Sequence, residues 1–221
     1  MRSVVIALLV FVAFSRSDFL LPFSFSDDLI KYTAKLEQPT NNDTICPLAQ
    51  LNYCQYSFNS NFGLNSSISY YNGSDIFMTI QNYLSMNVTE LNKVCKLTTL
   101  IHLMVSHPIL LPINSILSAF DYVRTFRGLE WICGGGFRET IGQFNCFEAF
   151  PTTVAYQNCM NNFNQTVSTT NFCPAVQQTG DCLNHAYRNM CGDAASGHYG
   201  CENFSFTFDK ACPGLKCAMG N

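Results

Sequence analysis

The chain has 221 residues, a formal charge of −3 and only 12% charged residues. It has no cluster of Lys or Arg to neutralise phosphate or sulfate groups, which excludes nucleic acid and heparin-like polyanions as partners. With 48% hydrophobic residues, 19 of them Phe, the chain can build a real core, as one large domain or two small ones.

Residues 1–17 read as a secretory signal peptide: Arg2, an uncharged apolar run from Val4 to Phe14, then Ser15 and Ser17, with cleavage expected after Ser17. The run is too short to span a bilayer. Loss of Arg2 and Arg16, and of no acid, moves the formal charge from −3 to −5. All twelve cysteines stay with the mature chain, an even set that can form up to six disulfides in an oxidising compartment.

Residues 18–45 form an N-terminal arm. It holds an apolar stretch, FLLPFSF, that can tuck against the body, and an amphipathic piece from Asp27 to Glu37. Pro39 and a run of Asn and Asp follow, so the arm is expected to be loosely attached. Cys46 and Cys54 flank one short helix. If it is continuous, their Cα atoms stand about 12 Å apart, beyond the ~7 Å that a disulfide tolerates, and each needs a distant partner. Gln55 to Ser85 reads as an extended, glycosylated loop with one short element at Ser74 to Leu84. Six sequons occur, at Asn42, Asn65, Asn72, Asn87, Asn164 and Asn203, each a candidate N-glycan site.

Thr89 to Ser106 is the clearest helix, with Val94, Leu97, Ile101, Met104 and Val105 on one face. Asn87 and Glu90 resemble a capping box, with Thr89 as the alternative cap should Asn87 carry a glycan. Pro108 and Pro112 end that helix, and a second starts at Asn114 or Ser115 and runs to about Phe126. No charged residue lies between Lys96 and Asp121, but two prolines and two histidines favour a buried helical hairpin over a membrane span. Trp131, Phe137, Ile141 and Phe144 can line one side of a helix. Gly134 to Gly136 interrupt it as a turn or a close backbone crossing beside Cys133, and Pro151 closes the element. Val154 to Phe163 and Asp181 to Met190 are short helices, the latter stopped at Cys191-Gly192. Cys182 and Cys191 are half a turn out of phase and should staple that helix to different neighbours. In the tail, Phe204, Phe206 and Phe208 alternate with Ser and Thr, as in a short strand.

Cys133, Cys146, Cys159, Cys173, Cys182, Cys191, Cys201, Cys212 and Cys217 form an evenly spaced ladder, the mark of a scaffold stapled wherever two elements meet. With Cys46, Cys54 and Cys95 they complete the disulfide set. A thiol nucleophile aided by His102, His107, His185 or His198 is disfavoured, because an even set leaves no free thiol. GGGF lacks the Lys-Ser/Thr of a phosphate loop. Cys212, Cys217, His185 and His198 could be written as zinc ligands, yet exported thiols oxidise first. A helical hairpin rich in apolar residues can also enclose a small apolar ligand. Ser196-Gly197, three residues after Asp193, is a candidate glycosaminoglycan attachment point.

The segments L-x-x-V-Cys95, GLEWI-Cys133, F-x-Cys146, Cys159 and Cys173-x8-Cys182-x8-Cys191-Gly192 together resemble the nematode secreted cysteine-rich proteins. Two groups fit: those similar to chondroitin proteoglycan 4 and those with domain of unknown function nineteen. The resemblance covers roughly Cys46 to Cys217. It implies a mostly helical, disulfide-bonded extracellular domain with no established catalytic residues to carry over, and a matrix or eggshell role. The expectation is therefore a mainly α, disulfide-stapled domain over 46–217 with long loops and a tail over 218–221. It should be secreted and non-catalytic, without cofactor or metal, acting on an extracellular protein or glycan or, alternatively, carrying a small apolar ligand.

Overall fold

In the computed structural model of the chain, residues 19–23, 25–37, 48–65, 72–105 and 116–219 are described. The leader, Asn42, Cys46 and His107 lie outside them, as do the side chains of Cys54 and His102. The described residues are helical, and no strand occurs among them. The expected strand at Phe204 to Phe208 belongs instead to a helix and the turn that follows it. Phe204 and Phe208, four apart, are both fully buried on one side while Phe206 is half-exposed. The alternation visible in the sequence is this helical pair with one intervening ring.

Helix α1 (Asp27–Leu36) starts where the Ser26 hydroxyl accepts from the Leu29 N–H. Asp27 and Asp28 sit at its positive end and Lys35 at its negative end. Helices α2 (Leu48–Asn61) and α3 (Gly73–Met86) follow. Much of the segment read as an extended loop is therefore helical. In α3 the buried residues Ile76, Ile80 and Leu84 recur every four positions. Helix α4 (Val88–Val105) ends within a residue of the expected limits, and α5 (Ile116–Cys133) packs beside it as the second leg of a hairpin. Among the described residues no helix is long and apolar enough to cross a membrane.

Gly134 to Gly136 make the turn after α5. A Cβ at Gly135 would stand 2.7 Å from the Trp131 ring, and one at Gly136 2.9 Å from the Tyr199 ring. Glycine is required there because two aromatic side chains lie against the backbone. Two short helices, α6 (Phe137–Gly142) and α7 (Phe144–Ala149), lead into a 3-10 turn at Phe150–Thr152 that holds Pro151. Then come α8 (Val154–Thr166), α9 (Phe172–Cys191) and α10 (Ala194–Phe206). Gly192, at φ +83°, stops α9 as expected. Helices α9 and α10 cross closely: a Cβ at Gly200 would lie 2.2 Å from the Tyr187 ring.

The arm is not loose over its described part. Phe19, Leu20 and Leu21 are buried, and α1 packs on α5. Phe23 and Phe25 enter a cluster of rings with Phe163, Phe204 and Phe208, at centroid separations of 4.9 to 6.2 Å. The Leu20 N–H donates to Gln81 Oε1 of α3 at 2.8 Å. FLLPFSF is thus a strap into the core, and Pro39 with the run of Asn and Asp after it misled the reading of the whole arm.

Candidate functional site

Among the described residues five disulfides join ten cysteines: Cys95–Cys133, Cys146–Cys191, Cys159–Cys182, Cys173–Cys212 and Cys201–Cys217. The first ties α4 to α5. Helix α9 carries three, reaching α7 from Cys191, α8 from Cys182 and the C-terminal segment from Cys173. The half-turn offset between Cys182 and Cys191 does send them to different neighbours. The fifth bond pins the tail to α10, where Gln177 of α9 also exchanges two hydrogen bonds with the Lys216 backbone.

Among the described residues this framework ties up ten of the thiols on which a hydrolase or zinc reading would draw. Cys212 and Cys217 are both bonded, and among the described residues no group of three or more His, Cys, Asp or Glu is placed to hold a metal. His185 is exposed on α9, and His198 stands 3.6 Å from Glu202 on α10.

The buried charges serve the frame. Arg124 of α5 reaches both the Glu37 carboxylate beyond α1 and the Thr207 carbonyl beyond α10. Arg127 holds Glu130 and Asp209 and lies over the Phe206 ring. Both guanidinium groups thus meet the negative end of α10. Burial raises the Tyr199 phenol far above its ordinary range, and a nearby Glu139 adds to this against the opposing Thr140 hydrogen bond, so the phenol stays neutral. Its hydroxyl is 3.1 Å from that of Thr140. Burial likewise raises Asp121 above the usual carboxylate value.

The sequons divide by burial. Asn65, Asn72, Asn87 and Asn164 are exposed. Asn87 caps α4 through Oδ1, which accepts from the Glu90 N–H at 3.0 Å. The cap uses the oxygen and a glycan would use the nitrogen, so the two roles do not compete. Asn203 is different. It is buried in α10, and its Nδ2 donates to the Phe19 carbonyl of the strap. An oligosaccharide has no room there. Ser196 is also buried, on the first turn of α10, where Asp193 caps its N–H. Its hydroxyl faces the interior, against the expectation that it carries a glycosaminoglycan.

One surface escaped the sequence reading. Tyr53 and Tyr56 of α2 are 71% and 59% exposed, while Gln55, Phe58, Asn59 and Phe62 behind them are buried. The helical period of the segment was the available signal, hidden by its scarcity of aliphatic residues. Compared with known protein families, curated proteins and solved structures, the chain finds no match.

Proposed function

We propose that this chain is an exported, N-glycosylated, non-catalytic protein that acts through its surface in an extracellular matrix or body fluid. The observation that carries this reading is the consumption of ten cysteines in five disulfides distributed over the helical body. Such a set is characteristic of oxidising surroundings and rare in reducing ones. The leader motif at residues 1–17 and four exposed sequons support the same address. Kinship with the nematode secreted cysteine-rich proteins is part of the proposal and rests on cysteine spacing. The carrier alternative is less well supported, because the rings of Phe23, Phe25, Phe163, Phe172, Phe204 and Phe208 occupy the space between the strap, α8, α9 and α10.

The test is expression in a eukaryotic secretory host, with the intact mass read from medium and cells before and after enzymatic removal of N-glycans. The expected product is in the medium, lacks residues 1–17, and has lost two hydrogens for each disulfide. A chain retained in the cytosol with reducible thiols and no glycan would overturn the proposal.

A further inference from the structure

Asn72-Gly73 is the one Asn-Gly dipeptide in the sequence, and Ser74 makes the same asparagine a sequon. Asn72 is the exposed N-cap of α3, and its side chain makes no capping hydrogen bond. Asn87 is the instructive contrast, because it too is an exposed sequon at the start of a helix. There Oδ1 is held by the Glu90 N–H, and the next residue is the β-branched Val88. At Asn72 no cap tethers the amide, and the next residue has no Cβ. Gly73 is the first residue of α3, so its N–H has no acceptor within the helix, and fraying of the first turn leaves it free to rearrange. Exposed asparagines inside helices, such as Asn82 and Asn158, are each followed by an N–H that belongs to the helical ladder.

We propose that Asn72-Gly73 is a site of backbone modification through a succinimide, and that N-glycosylation of Asn72 closes it. The Gly73 nitrogen, giving up its proton, attacks Cγ of Asn72; a C–N bond forms, the Cγ–Nδ2 bond breaks, and Nδ2 leaves as ammonia. Water then opens the ring at one carbonyl to give aspartate or at the other to give isoaspartate. The sum is one water consumed and one ammonia released, with no change of oxidation state. A glycan on the same Nδ2 turns the leaving group into a bulky glycosylamine and obstructs ring closure. Of the two products, aspartate places a charge at the positive end of α3, which the helix favours. Isoaspartate instead routes the main chain through the side-chain carbons, adding a methylene just before the helix that supplies Gln81 to the strap. The sugar at Asn72 thereby preserves the backbone of a protein that lacks intracellular turnover. The glycan half of the inference rests on the export reading above; the ring closure does not.

The experiment uses the full secreted chain and its Ser74→Ala variant, which removes the sequon at an exposed position and keeps Asn72-Gly73. Both are aged at physiological temperature in neutral and in mildly alkaline buffer, then digested under mildly acidic conditions. Peptide mass spectrometry with electron-transfer fragmentation reads amide loss at each asparagine and separates aspartate from isoaspartate. N-glycans are removed enzymatically in heavy-oxygen water, so that an aspartate made by deglycosylation is marked apart from one made by ageing. In Ser74→Ala, Asn72 should lose its amide before Asn82 and Asn158, faster in the alkaline buffer, with isoaspartate among the products. Adding Gly73→Ala should slow the loss about tenfold or more, because a Cβ on the attacking residue hinders ring closure. Where that variant does not fold, the ranking of asparagines within Ser74→Ala decides alone. Parent molecules with a sugar at Asn72 should show no such loss. An Asn72 amide that outlasts those of Asn82 and Asn158, aspartate without isoaspartate, or equal loss in the glycosylated parent would each overturn the inference. A parent chain with no N-glycan anywhere would overturn the export reading and the glycan half with it, and Ser74→Ala would still decide the ring closure.

Discussion

At Asn203 the side-chain nitrogen that an oligosaccharide would occupy already donates to the Phe19 carbonyl, 184 residues away. The motif reports only what can be read in an unfolded chain; a chain carrying a glycan at Asn203 could not close this contact. Asn203→Gln should leave the glycan mass unchanged and lower stability by about 1–2 kcal/mol, the cost of a lost buried hydrogen bond. Asn87→Gln should remove one glycan step, and mass spectrometry with thermal denaturation distinguishes the two. At Asp121 burial raises the carboxyl pKa above 3.8, so the folded state holds its proton more tightly than the unfolded one. Its contribution to stability is most favourable below the unfolded value and is lost as pH rises through the folded one. Asp121→Asn should therefore stabilise the protein at neutral pH, with the advantage shrinking as pH falls toward 3.8 in denaturant titrations.

Among elements, legibility followed the strength of local signals. Helix α4 was readable because its apolar residues fall at three- and four-residue steps, and the end of α9 because Gly192 takes a positive φ that other residues resist. Helix α10 was not, since Gly197 and Gly200 weaken its helical propensity and are present to let α9 approach. Its stability comes from tertiary contact, which no window of sequence contains. The disulfide pairing was equally hidden: Cys159–Cys182 is nested inside Cys146–Cys191, while Cys173–Cys212 interleaves with it. Replacing Cys159 and Cys182 together by Ser should cost about 3 kcal/mol for a loop of this size. Guanidinium unfolding under non-reducing conditions measures the loss, and a near-zero change would mean that α8 is held on α9 by packing alone.

For the whole molecule, the strap carries most weight. Phe19 stacks on Phe144 of α7, Leu20 lies against Gly128 of α5, and Phe23 and Phe25 face α8 and α10. Leu20→Ala should cost about 2–5 kcal/mol, like any large-to-small change in a core; a change below about 0.5 kcal/mol in the same unfolding assay would mark a loose arm instead. Because Asn203, Phe204 and Phe208 form its seat, the strap waits for a segment translated about 180 residues after it. Vectorial synthesis therefore cannot finish this core piece by piece. During elongation the strap is an apolar peptide with nowhere to dock, a natural client for chaperones, and closure must span 184 residues. Emergence of α10 and the turn after it, and not of any earlier helix, is the event that lets the strap dock.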